Sequence, residues 1–374
     1  MPPKTDLTII AATSGHSGVD TVIRNLLPEF AKLGLRVDVI TIKNHGPYLG
    51  SLPENCRNIK LDAKHIETSL PGLIRYLREE RPKAILSDKD RVNRVSLLAR
   101  SLSGVSCRVA VRLGTTVSVN LKNKGFFQAA FQRSSIRLLY KLANSVIVPS
   151  QGVADDLSGI MRVPAEKLSV LPNPIINQNL YRAAEQPLCE QWLQLSEAPL
   201  IVAVGSLTAR KDYQTLIEAF SKLRSEMPAR LALIGDGPCR DELENQAIKL
   251  GVRDEILFAG YQENPYPWIA RADVFAHTSR WEGLGIVLVE ALALGTPVVS
   301  TNCPSGPAEI LGNGRYGHLV PIGDTESLAS NLALVIKQGE VVPPNVIDRF
   351  NASTAAREYV EEIFNGPRKT IEEG

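Results

Sequence analysis

Short apolar runs, separated by longer stretches of helical periodicity, recur along the whole chain. Residues 7–12 (Leu-Thr-Ile-Ile-Ala-Ala) form the first run. A Gly/Ser turn follows, then a helical pattern over about 19–33 that stops at Gly34. An unbroken apolar run of this length reads as a strand buried on both faces, and glycine past the last periodic residue reads as a helix stop. Further runs at 37–42, 84–86, 108–111 and 145–148 each follow a helical stretch. This alternation predicts right-handed βαβ units and a parallel sheet covered on both faces. Pro172-Asn173-Pro174-Ile175-Ile176-Asn177 can continue neither element, so it reads as a linker and hinge. The pattern then restarts with a strand at 200–204, a helix over about 213–224, and strands at 231–234, 256–259, 273–277 and 297–300. The expectation is an α/β chain of two doubly wound domains, 1–172 and 173–352. A last helix, about 353–364, is free to pack back on the first domain, and the tail from Asn365 is expected to fray. Ligands of such sheets gather outside the carboxyl ends of the strands, here in the cleft between domains.

Composition narrows the class without naming it. A chain of 374 residues suits two cores rather than one. At 44% hydrophobic and 22% charged residues it is no disordered or collagen-like chain. The longest apolar candidate for a membrane span, 286–294, is short and contains Glu290. No secretory signal is expected at the start. Cys56, Cys107, Cys189, Cys239 and Cys303 lie far apart with no Cys-x-x-Cys, which predicts reduced thiols and a cytoplasmic setting. The net charge of +2 conceals an asymmetry. Residues 1–175 hold 25 Lys and Arg against 14 Asp and Glu, a net of +11; the remainder holds 17 against 26, a net of −9. The first half is therefore expected to face something anionic.

Candidate chemistry sits at the turns that follow strands. The turn from Thr13 to Val19 is glycine-rich but is not G-x-G-x-x-G, and no acid closes the second strand, so a nicotinamide site is not expected. It serves equally as a tight turn or a ligand loop, and His16 within it could approach a ligand. In the second half, Arg210 and Lys211 follow a strand at the mouth of a helix, where adjacent cations can neutralise a diphosphate. Gly235-Asp236-Gly237-Pro238 marks another strand end. The densest stretch runs from Ser279 to Leu292. Its Glu282 and Glu290 are separated by roughly 12 Å of rise if helical, too far for an acid/base pair, so they should touch different parts of one elongated ligand. Glu290, on an otherwise apolar helix, needs a partner. Asp88-Lys89-Asp90 imitates an Asp-x-Asp metal motif but reads as a solvated loop. The histidines lack metal spacing, His277 reads as a strand end, and no metal is expected.

Glu282, seven further residues and Glu290, continued by Ala291-Leu292-Ala293-Leu294-Gly295-Thr296-Pro297-Val298-Val299, resemble the retaining glycosyltransferases of family four. Gly205-Ser206-Leu207 with Lys211, the Gly235–Pro238 turn and the stretch from Asn302 to Leu311 extend the likeness. The resemblance implies the GT-B fold, two Rossmann-like domains facing across a cleft. It implies that Glu290 binds the ribose of a nucleotide-sugar and that Glu282 lies beside the donor sugar. The amides of Gly283, Leu284 and Gly285 would hold sugar and phosphate at a helix N-terminus. Lys211 matches the diphosphate-binding lysine, Gly18 the glycine that closes the first-domain turn over the diphosphate, and Tyr261 the position whose backbone meets the base. Ser206 stands where many members carry a phosphate-binding arginine, which leaves that charge to Arg210. Gly114 stands where several have a histidine near the reacting carbon. Because Gly18 lies in one domain and Lys211 and Glu290 in the other, donor binding should close the cleft.

The activity so implied is metal-independent, retaining transfer of a sugar from a nucleotide diphosphate donor, UDP-hexose or UDP-N-acetylhexosamine, to an acceptor hydroxyl. Glu282, Lys211 and Arg210 are the catalytic candidates. A sugar-nucleotide epimerase or a non-catalytic carbohydrate- or lipid-binding protein are the alternatives, and no nucleic-acid partner is expected. The acceptor is expected to be a glycan or a lipid-linked one. Within the basic half, Lys122, Lys124, Phe126 and Phe127 lead into a helix carrying Arg133, Arg137 and Lys141 at four-residue spacing. Phe127, Phe131, Leu138 and Leu142 gather on another face, either buried in the domain or, with the cations, suited to a membrane interface. The latter predicts a cytoplasmic protein held peripherally on the inner membrane face.

Overall fold

Apolar runs buried on both faces become the central strands of two parallel sheets. A computed structural model of the chain describes residues 4–12, 18–43, 45–47, 49–122, 125–188, 190–194 and 196–367. In the first sheet the strands are β1 (Leu7–Ile10), β2 (Val37–Ile42), β3 (Cys56–Leu61), β4 (Ala84–Asp88), β5 (Arg108–Arg112), β6 (Ser145–Val148) and β7 (Leu168–Val170). They lie in the order β3-β2-β1-β4-β5-β6-β7, all parallel, with Leu7 opposite both Val37 and Ala84. The second sheet is built from β8 (Leu200–Val204), β9 (Arg230–Ile234), β10 (Ile256–Gly260), β11 (Val274–His277), β12 (Val298–Thr301) and β13 (His318–Val320), ordered β10-β9-β8-β11-β12-β13. This is the doubly wound order, in which the direction of winding reverses beside the first strand. In the second sheet that switch point lies between β8 and β11.

The edge strands β3, β7 and β13 have no counterpart in the sequence expectation. β3 alternates charged and apolar residues and is half-exposed, and β7 and β13 are three residues long, so none presents a continuous apolar run.

The chain divides into two units, Met1–Ile175 with Phe350–Gly374, and Ile176–Arg349. The divisions fall a few residues from the expected 172/173 and 352/353, because Ile175 N–H donates to the Phe350 carbonyl and so belongs with the first unit. The final helix, Ala352–Asn365, packs on the helix Gly18–Lys32 and on β4 and β5.

One expectation needs correction, and one alternative drops out. Asp88 is not in a solvated loop: β4 runs two residues further than its apolar run, which carries Asp88 into the interior. There it stands in register with Arg112 of β5, and the two buried side chains form an ion pair. Asp90 opens the helix Asp90–Ser103 and pairs with Arg94 at 3.0 Å. Of the two readings of the stretch after Lys124, burial in the domain does not hold: Phe127, Phe131 and Leu138 of the helix Phe126–Leu139, and Leu142 just past it, are all exposed, and Ile136 is the one residue of this helix that is buried. No helix among the described residues is long and apolar enough to cross a membrane.

Candidate active site

Arg210 and Lys211 lie in the loop after β8, and Glu282 in the loop after β11, so the two strands at the switch point deliver them to the same place. Cross-bonds pin the loops together. Thr278 Oγ1 donates to the Lys211 carbonyl (2.8 Å), Arg280 N–H to the Arg210 carbonyl (2.8 Å), and Thr301 Oγ1 to the Ser279 carbonyl (2.6 Å). Asp212 continues from Lys211 in a left-handed conformation (φ 51°), turning the chain sharply into the helix Tyr213–Glu226.

The side chains converge on one carboxylate. Lys211 Nζ is 2.7 Å from Glu282 Oε1, Arg210 Nη1 is 3.0 Å from Oε2, and Ser279 Oγ donates to Oε1 at 2.8 Å. Glu282 is 7% and Lys211 9% exposed, so this is an interior cluster rather than a solvated pair. Burial works against ionisation of Glu282, but the Lys211 ammonium and the Arg210 guanidinium outweigh it and hold the carboxyl well below its usual range. Beneath it, His277 ends β11 with Nε2 3.5 Å from Glu282 Oε1 and Nδ1 2.9 Å from Ser300 Oγ. Burial depresses its basicity; Glu282 opposes this, Lys211 and Arg210 reinforce it, and the net shift is downward, which favours the neutral ring near pH 7. Burial raises the neighbouring Cys303 thiol to about 12, with the Glu282 charge adding to it, so that thiol is no nucleophile at neutral pH.

Only Ile286–Ala293 of the Glu282–Glu290 stretch is helical; Glu282 to Gly285 form a turn, with Gly285 at φ 89° capping the helix. Gly283 and Leu284 therefore precede a helix N-terminus, where amide groups can face an anion. Glu290, 8% exposed, accepts a hydrogen bond from Tyr266 Oη at 3.1 Å. Tyr261, just past β10, is 59% exposed. Gly18 opens the first helix of the other unit, and the turn before it, 13–17, lies outside the described residues.

The second unit thus gathers Arg210, Lys211 and Glu282 in contact and places Gly283, Leu284, Gly285 and Glu290 on the turn and helix that follow. His277, Ser279 and Tyr266 were not among the sequence candidates. For His277 and Ser279 a signal existed: they alternate at the carboxyl end of a parallel strand, where ligands collect. Among the described residues no group of three or more His, Cys, Asp or Glu is placed to hold a metal ion.

Such a cluster offers two cations, tied down by one carboxylate, beside a helix N-terminus: an arrangement able to receive a phosphorylated ligand. Comparison with known proteins gives the chain's relatives. Residues 189–354 match the family model of glycosyl transferases group 1, and residues 17–174 that of the glycosyl transferase 4-like domain. Over 345 residues the chain is 27% identical to the N-acetylgalactosamine-N,N'-diacetylbacillosaminyl-diphospho-undecaprenol 4-alpha-N-acetylgalactosaminyltransferase of Campylobacter jejuni, covering 90% of this chain and 91% of that one. Among solved structures, the lipopolysaccharide outer core galactosyltransferase WaaB superposes with a TM-score of 0.73 at 19% identity, covering 96% of this chain and 99% of that one. Anabaena HepE in complex with UDP superposes at 0.71 and 18% identity, covering 96% and 95%.

Proposed function

The chain belongs to the group 1 glycosyl transferases, with two Rossmann-like domains of the GT-B fold class, and from that premise we propose that it is a retaining, metal-independent enzyme using a UDP-sugar. The observation that carries the reading is the Arg210–Glu282–Lys211 constellation, with Glu282 and Lys211 buried, at the switch point of the second sheet. The barrier to glycosyl transfer is departure of a diphosphate from an oxocarbenium-like sugar, so preorganised positive charge at the leaving group is the strongest lever available. Arg210, Lys211 and the amides from Gly283 to Gly285 supply it. The sugar's anomeric carbon then takes the acceptor hydroxyl on the face the phosphate leaves, and that phosphate accepts the hydroxyl proton. Glu290 holds the ribose and Tyr261 the base, with UDP-hexose or UDP-N-acetylhexosamine as donor. The acceptor is a lipid-linked or envelope glycan, a reading supported by the diphospho-undecaprenol in the name of the Campylobacter relative. The exposed aromatic and basic residues of Phe126–Leu139 hold the protein on an anionic membrane face.

A panel of nucleotide-sugars, assayed for slow hydrolysis and for transfer, tests the assignment. Lys211→Ala should lower turnover by about 100- to 1,000-fold, with unchanged far-UV circular dichroism. Normal turnover by the folded variant, or inversion of the anomeric centre in the product, would sink the mechanism.

A further inference from the structure

We infer that His277 is a positioning residue for Glu282, supplying the hydrogen bond that this carboxylate needs when Arg210 and Lys211 turn to the ligand's diphosphate. The inference rests on the donor-site reading above. In the ligand-free arrangement both cations are committed to Glu282. A buried carboxylate that loses its charge partners is strongly destabilised unless other donors reach it. Ser279 Oγ, already on Oε1, is one such donor. Among the described residues His277 is a second: it is 3% exposed, and its Nε2 makes no hydrogen bond, standing a few tenths of an ångström beyond hydrogen-bonding range of Oε1.

The ring's surroundings decide which nitrogen carries the proton. Ser300 Oγ lies 2.9 Å from Nδ1 and 3.0 Å from the Thr301 carbonyl, and its single proton can serve only one of them. If it went to the carbonyl, a neutral ring would carry its proton on Nδ1 and aim the Nε2 lone pair at a carboxylate. Donation from Ser300 to Nδ1 avoids that repulsion and leaves Nε2–H facing Glu282. Ser300 thus sets the tautomer, and a small movement of Glu282 away from the cations closes the Nε2–H contact. No atom changes its covalent partners; the hand-off exchanges hydrogen bonds only.

The test is UDP titration by calorimetry, with melting temperatures, for the wild type, His277→Leu, His277→Gln and His277→Asn, the Leu change also being made in a Glu282→Gln background. His277→Leu should weaken UDP binding about tenfold, the scale of one charge-assisted hydrogen bond. Glutamine, whose amide nitrogen reaches the Nε2 position, should recover most of the loss, while asparagine, which mimics Nδ1, should not. In the Glu282→Gln background, where the cations are no longer held by a charge, His277→Leu should have no further effect. Should the Leu variant not fold, the Gln and Asn pair carries the same contrast. Wild-type affinity in the Leu and Asn variants, or an equal loss with and without the Glu282 charge, overturns the inference. Equal UDP affinity of wild type and Lys211→Ala would instead overturn the donor-site reading itself.

Discussion

Gly306 is small because the Leu284 carbonyl occupies the space where a side chain would be. A Cβ built on it would lie 1.9 Å from that oxygen, and its φ of +101° is one that other residues rarely adopt. The loop after β12 is thereby pressed against the turn that leads from Glu282 into the helix Ile286–Ala293, and Glu282 N–H reaches the Pro304 carbonyl at 3.3 Å in the same contact. Gly306→Ala should therefore move the Gly283–Gly285 amides and raise KM for the donor at least tenfold, in addition to a backbone cost of about 1–3 kcal/mol. Gly339→Ala, also at positive φ but with nothing within 4 Å, is the control: it should lower the urea midpoint without touching KM. An unchanged donor KM in Gly306→Ala would show that those amides do not touch the donor. At this scale the sequence was readable where a charge stands in an apolar setting, as at Glu290, or is doubled after a strand, as at Arg210 and Lys211. Tyr266 was not readable: it lies 24 residues before Glu290 on another element, and no spacing rule links them.

Four large apolar side chains on one helix call for a partner where a single exposed leucine would not. Phe126, Phe127 and Phe131 are 80%, 86% and 70% exposed and Leu138 69%, while Arg133 and Lys141 are exposed alongside them. The aromatics suit insertion among acyl chains and the cations suit anionic headgroups, each basic residue near the surface contributing about 1 kcal/mol. The side chains of Lys122 and Lys124, which would add to this, lie outside the described residues. Flotation with anionic liposomes should show binding that weakens as salt rises, and that falls on replacing Lys122, Lys124 and Arg133. Phe126→Ser, Phe127→Ser and Phe131→Ser together should abolish it at all salt concentrations. Absence of flotation at low salt would favour a water-borne acceptor. The elements themselves were legible in proportion to their burial. Central strands such as β2, β6 and β8 are largely apolar, β2 interrupted only by Asp38 and Thr41, and were placed to the residue. The edges β3, β7 and β13 bury one face or less and leave almost no periodic signal, and the length of β4 was hidden because its last residue is a charged one, held inside by a partner from β5.

Across the whole molecule, the chain leaves its first unit at Ile175, completes the second as one continuous segment, and returns with its last helix to finish the first. Arg112 shows what that return supplies. Its fully buried guanidinium pairs with Asp88 of β4, donates through Nη2 to Asn173 beside the exit from the unit, and through Nε to Tyr359 Oη at 3.0 Å on the returning helix. Ser145 of β6 bonds Glu362, and Arg108 Nε donates to the Ile363 carbonyl at 3.0 Å. The second unit is one contiguous segment, whereas the first cannot satisfy Arg112 until Tyr359 arrives. Tyr359→Phe leaves the Arg112 Nε–H buried without an acceptor, a loss of about 1–3 kcal/mol that should fall on the first unit. The three tryptophans, Trp192, Trp268 and Trp281, all lie in the second unit, so their fluorescence follows that unit while far-UV circular dichroism follows both. In a urea titration the variant should show a circular dichroism transition that begins at lower urea than in the wild type, with the tryptophan transition in its original place. A tryptophan midpoint that shifts in step with the dichroism would mean that the two units unfold as one, and that the returning helix stabilises the molecule as a whole.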